Sequence, residues 1–215
     1  MSIVSSRRSF VALLGSVAGL AAFRSPGEAA AQSAPPSAGP FDMAWLEQVK
    51  GKHKQVYDFG SFDLGADGRP LRFCKNFLDT FRDVYKLEYP ELNTAAGISG
   101  PAFAMNASDR LWDKYKLGER SKIIDPMTKQ PSVRNIFLDG SDISVKAMQA
   151  RGTIFWQCNL ALSNIAQQLA TQFQMPAAEV RADLIAGLNP GVKLMPSHVM
   201  ALALAQERGF TYMRP

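Results

Sequence analysis

Cysteine and histidine are scarce: the 215 residues hold two of each, Cys74 and Cys158, His53 and His198. Two cysteines exclude a disulfide-framework miniprotein and a cysteine-rich zinc site. The histidines and the nine methionines are scattered without metal-ligand spacing, so no metal is expected. The glycine patterns that cradle phosphates, Gly-x-Gly-x-x-Gly and the Walker loop, are missing. A Gly-x-Ser-x-Gly elbow is missing too. Nucleotide enzymes and serine hydrolases are thereby disfavoured, and no cofactor is expected. No apolar run reaches the roughly twenty residues that span a bilayer as a helix. Charge of one sign is not in large excess either, at 24 Lys+Arg against 19 Asp+Glu. Setting aside Arg7, Arg8, Arg24 and Glu28 leaves 21 against 18, a mild +3 spread along the chain. Nucleic acid is therefore not an expected partner. What the chain does have is an ordinary globular composition, 47% hydrophobic and 20% charged, at a length suited to one generous domain.

The first forty residues read as an address. Arg7-Arg8-Ser9-Phe10 precedes an apolar run from Phe10 to Phe23, broken by Gly15, Ser16 and Gly19, and Ala29-Ala30-Ala31 offers a small-residue cleavage site. This order of charge, apolar core and small residues is that of a bacterial export signal, and the paired arginines resemble the twin-arginine type. The expected division is a signal at 1–31, an Ala/Ser/Pro-rich disordered linker at 32–41, and one domain at 42–215. Cleavage would leave no stable membrane span, and the protein is expected to be periplasmic or otherwise exported. Retention as an uncleaved anchor is the other reading.

Within the domain, 43–50 suggests a short helix and 53–59 a strand. Pro70 stands where a helix would begin, and Phe73, Phe77, Phe81, Val84 and Tyr85 recur at helical spacing. Residues 97–105 are small and apolar and read as a buried strand, with Pro101 as a discordant member. A short helix is expected at 109–117. Residues 119–135, with Pro126 and Pro131, read as a long excursion, and Trp112, Tyr115, Lys116, Arg120, Lys122, Lys129 and Arg134 lend this region a basic, aromatic character. A solvated loop is the default for it; covering a site or binding an anion is the alternative. Helix 144–151, strand 153–158, helices 160–173 and 177–188, strand 191–195, helix 198–208 and strand 210–213 follow, with Ser197 as an N-cap. The alternation implies a three-layer α/β domain with a mostly parallel sheet of about five strands.

Two C-terminal phrases, Pro190-Gly191-Val192-Lys193-Leu194-Met195-Pro196-Ser197-His198-Val199 and Gln206-Glu207-Arg208-Gly209-Phe210-Thr211-Tyr212, together with Gly152-Thr153-Ile154-Phe155-Trp156-Gln157-Cys158-Asn159 upstream, resemble the DsrE/DsrF-like family. The likeness covers roughly residues 142–215. It implies a flavodoxin-like sheet, a homo-oligomer, and a strand-end cysteine that in cytoplasmic relatives relays sulfur as a persulfide. One departure stands out: His198 occupies the position of the family's usual glycine.

Cys158 is the leading candidate for chemistry. It closes a strand where open α/β sheets place their ligands, and the helix that follows would aim N–H groups at its sulfur. Packing as a small buried hydrophobe is the competing explanation. His198, at a helix start, would complete a Cys/His pair as base or metal ligand; an ordinary neutral histidine in the first turn of a helix is the default. In a flavodoxin-like order the first and third strands are neighbours, so Cys74 could approach Cys158 as a supporting thiol or a disulfide partner; two independently buried cysteines are the default. Asp58, Asn106, Asn159 and Ser197 fall at strand or helix ends that could line the same cleft, each equally explained as a cap or turn residue. The expected role is binding or relaying a small sulfur species, from a small molecule or a partner protein. A non-catalytic oligomeric binding or assembly module with Cys158 merely packed is the alternative. Classical enzyme activity is not expected.

Overall fold

The computed structural model describes Phe41 and residues 43–215. The export signal expected at 1–31 and the linker at 32–41, Phe41 apart, lie outside the described residues. Five strands form one all-parallel sheet: β1 (His53–Phe59), β2 (Leu92–Ile98), β3 (Ile154–Cys158), β4 (Lys193–Met195) and β5 (Thr211–Met213), in the spatial order β4-β3-β2-β1-β5. The helices among the described residues are α1 (Trp45–Gln48), α2 (Arg72–Tyr85), α3 (Phe103–Asn106), α4 (Asp109–Lys114), α5 (Leu117–Arg120), α6 (Val145–Ala150), α7 (Asn159–Phe173), α8 (Ala177–Ala186) and α9 (His198–Glu207). The domain is thus a three-layer α/β fold of flavodoxin-like type.

Two apolar clusters show how the layers are divided. On one face Leu78 of α2, Leu162 and Leu169 of α7 and Val180 of α8 pack on Tyr57, Phe59, Ala96 and Phe155. On the other, Trp45 and Leu46 of α1 and Ala201 and Ala205 of α9 pack on Val56, Ala95, Trp156 and Met195. The partition follows the alternation of side chains along a strand. It also follows from handedness. The chain steps from β1 through β2 and β3 to β4 in one direction, then α9 returns it to the far side of β1, and right-handed crossovers put helices of opposite travel on opposite faces.

Local chemistry accounts for several boundaries. The Ser144 and Ser197 hydroxyls accept the N–H groups of Ala147 and Met200, each at 3.2 Å, and so open α6 and α9. α2 carries Phe77 and Phe81 one turn apart, ring centroids 4.7 Å from each other. It ends at Lys86 in the left-handed conformation (φ 60°), whose N–H donates to the Arg82 carbonyl.

Two expectations are corrected. The second strand is 92–98 rather than 97–105: Gly100–Ala102 is a turn of 3-10 helix that holds Pro101, and α3 follows it. β2 is the central strand and is buried along its whole length. Its polar residues are buried because they are paired, with Asn93 Oδ1 accepting the Gly51 N–H at 2.8 Å and Thr94 Oγ1 bonded to Thr153 Oγ1 at 2.7 Å. Second, the first and third strands are not neighbours, because β2 pairs with both and separates them.

Candidate active site

In an open α/β sheet, ligands bind outside the carboxyl ends of the strands, where neighbouring strands send their helices to opposite faces. Here that point lies between β3, which feeds α7, and β4, which feeds α9. Cys158 ends β3 and is the N-cap of α7. Ser197 and His198 open α9. The Cys158 sulfur accepts one N–H from each helix: Ala161 N at 3.4 Å and His198 N at 3.3 Å. Two helix N-termini thus bring partial positive charge onto one sulfur atom. The residue is 4% exposed and lines a pocket of about 460 Å³, together with Asp58, Ser61, Ser99, Asn164, Ser197 and His198.

What anchors His198 is a single row of residues across three strands. Asp58 of β1 is in register with Gly97 of β2, and Gly97 with Trp156 of β3. The imidazole lies over Gly97, the one member of the row without a side chain, and bridges the other two. Trp156 Nε1 donates to His198 Nδ1 at 3.3 Å, and His198 Nε2 is 2.6 Å from Asp58 Oδ1. An indole N–H can only donate, so Nδ1 is the acceptor and the ring proton sits on Nε2, facing the carboxylate. Glycine is required at two places around this ring. A Cβ on Gly97 would stand 2.4 Å from Trp156 Cζ2 and 3.0 Å from His198 Cε1, and one on Gly60 would stand 2.9 Å from His198 Nε2.

Asp58 is in turn fully engaged. Burial pushes its carboxyl up, but the Tyr212 hydroxyl (2.6 Å to Oδ2), His198 and the Gly60 N–H (2.8 Å to Oδ1) outweigh that and hold it below the ordinary carboxylate range. A chain of bonds therefore runs from Tyr212 through Asp58 and His198 to Trp156 and fixes the first residue of α9. His198 acts on Cys158 through its backbone N–H, while both ring nitrogens are committed elsewhere.

Of the residues singled out from the sequence, the fold brings together Cys158, His198, Asp58 and Ser197. Asn159 adjoins them as the first residue of α7, with its side chain turned to α8, where Oδ1 accepts from Arg181. Asn106 is buried away from the pocket and donates to the Trp156 carbonyl and to Gln157 Oε1. Cys74 is elsewhere. Its sulfur is 3.6 Å from Thr153 Oγ1, just before β3 begins, and burial pushes its thiol up. Residues 153 and 158 are separated by roughly 16 Å of extended strand, so the two thiols are free and out of disulfide reach. The cause is the 60–71 loop, which delays α2 until its first turn is already beside the start of β3. Trp112 and Tyr115, expected in a basic surface excursion, are buried instead, and the Trp112 Nε1 donates to the Ala104 carbonyl at 2.8 Å.

Sequence reasoning missed Trp156, Tyr212, Gly60 and Gly97. Gly97 carried a usable signal, since a glycine inside a strand often marks close approach by another group. Comparison with protein-family models, with curated proteins and with solved structures finds no match.

Proposed function

We propose that this chain is an exported protein of DsrE/DsrF-like type, working as a homo-oligomer, that binds and relays a small sulfur species through Cys158. The observation that carries the reading is the Cys158 sulfur held between the N-termini of α7 and α9 on the wall of the switch-point pocket. In the relay step the Cys158 thiolate attacks the outer sulfur of a donor persulfide R–S–S⁻. The donor's S–S bond breaks, R–S⁻ leaves, and Cys158 carries the sulfur as its own persulfide, on which the two N–H groups offset negative charge. His198 is a positioning residue in this scheme: the Asp58 and Trp156 bonds hold its N–H at the sulfur.

A second reading, a non-catalytic oligomeric binding module, is favoured by the low exposure of Cys158. Intact mass after incubation with a polysulfide donor separates the two. Addition of sulfur that maps to Cys158 and is absent in Cys158→Ser supports the relay; a mass identical to the untreated protein refutes it.

A further inference from the structure

The Cys158 pocket does not end at Cys158. A second chamber of about 780 Å³ shares Ser61, Ala161 and Asn164 with it, so the two adjoin along the exposed side of α7. The middle of the larger chamber is apolar, formed by Leu64, Phe103, Leu117 and Ile165. Its far wall is cationic, with Arg120 and Lys122. Arg120 donates to Gln168 Oε1, a neutral partner, and neither cation has a carboxylate within salt-bridge distance among the described residues. Arg214 stands at the Cys158 end and donates to Ser61. Two acids also line the cleft: Asp58, at the Cys158 end with Arg214, accepts from Tyr212, His198 and Gly60, and Asp63 accepts the Gly65 and Ala66 N–H groups. Asp58 thus offsets Arg214 at the Cys158 end, and the excess positive charge lies at the far wall, where Arg120 and Lys122 stand against Asp63 alone among the lining residues. From Cys158 to Gln168, the partner of Arg120, α7 rises about 15 Å.

Resting on the reading of Cys158 as a working thiol, we propose that the adjoining chambers take a small disulfide whose ends carry carboxylates. Its S–S bond meets Cys158, its body crosses the apolar middle, and a carboxylate reaches Arg120 and Lys122. The chemistry is thiol–disulfide exchange. Cys158 as thiolate, its proton released to solvent, attacks one sulfur of R–S–S–R. The Cys158–S–S–R bond forms, the original S–S bond breaks, and R–S⁻ leaves and takes up a proton. Cys158 is oxidised as one half of the disulfide is reduced, with no other reactant.

The test uses the full chain and three disulfides as probes: oxidised glutathione (anionic), bis(2-hydroxyethyl) disulfide (neutral) and cystamine (cationic). Rates of mixed-disulfide formation are read by intact mass for wild type and for the doubly substituted Arg120→Glu, Lys122→Glu chain. Both positions are exposed, so folding is expected to survive and is checked by circular dichroism. The anionic-to-neutral rate ratio is expected to fall about tenfold in the double variant, and the wild-type ratio to fall with added salt. Mixed disulfide at Cys158 with the neutral probe, but the same ratio in both chains, overturns this inference and leaves the thiol reading standing. No mixed disulfide with any of the three overturns both.

Discussion

Gly97→Ala is the sharpest perturbation of the site that touches none of its polar atoms. The new methyl would stand 2.4 Å from Trp156 Cζ2, 2.7 Å from Cε2 and 3.0 Å from His198 Cε1, about 1 Å inside ordinary contact with the indole. The indole cannot step aside. It is fully buried, stacks against Trp45 at 5.8 Å between centroids, and is tied by its N–H to His198. Overpacking of a core costs about 1–3 kcal/mol, and so constrained a ring puts the substitution near the upper end. For a domain of this size that is a fall in Tm of roughly 6–12 °C. Gly68→Ala is the control, because a Cβ there meets nothing within 4 Å, and it is expected to lie within about 0.5 kcal/mol of wild type. Urea unfolding followed by tryptophan fluorescence measures both. If Gly97→Ala is as stable as Gly68→Ala, the Asp58–Gly97–Trp156 row is not the close-fitting seat described above.

Other outcomes follow from neighbouring contacts. Burial pushes the Asp183 carboxyl up, but bonds from Lys114 (2.7 Å), Tyr115 (2.8 Å) and Arg110 (2.5 Å) dominate and hold it at about 2, against 3.8 ordinarily. A depressed carboxyl stabilises the fold above its ordinary range and loses that contribution as pH falls through the folded value. With Arg110 and Lys114 about half exposed, solvent screening reduces that contribution, and Asp183→Asn should cost about 1 kcal/mol at pH 7, a gap that closes toward pH 2 in acid unfolding curves. Tyr212→Phe removes a donor from Asp58, so the Asp58 carboxyl should titrate at higher pH in an NMR titration, and its stabilisation should be lost earlier on acidification. Cys74→Ala should leave the native-state thiol count unchanged in a colorimetric assay, since Cys74 is fully buried, and lower the count by one after unfolding.

The rhythm of strands and helices was legible because each element's signal is local. The phenylalanine spacing of α2, the serines opening α6 and α9, and the strand leading to Cys158 can all be read from short stretches. Strand order was not, because it depends on which face α9 crosses, and that is decided by burial over residues far apart in sequence. β2 was misplaced for a related reason. Leu92–Ile98 is buried on both faces and shows no alternation, and Asn93 and Thr94 look like loop residues until their buried partners Gly51 and Thr153 are known. At the site, Cys158 and His198 were visible as residue types at element ends. The row beneath the imidazole was not: Asp58, Gly97 and Trp156 lie on three strands and become one feature only through register. The role of His198 changed accordingly, from a side-chain base to a backbone donor whose ring is anchored.

As proposed, Cys158 is a working sulfur on a pocket wall; Cys74 is packed in the core. Timed alkylation of the folded protein, quenched and mapped by peptide mass spectrometry, tests this most directly. Cys158 is expected to be labelled in the native state and Cys74 only after unfolding. If both stay unlabelled until the protein unfolds, Cys158 is core, and the sulfur chemistry proposed for it is wrong.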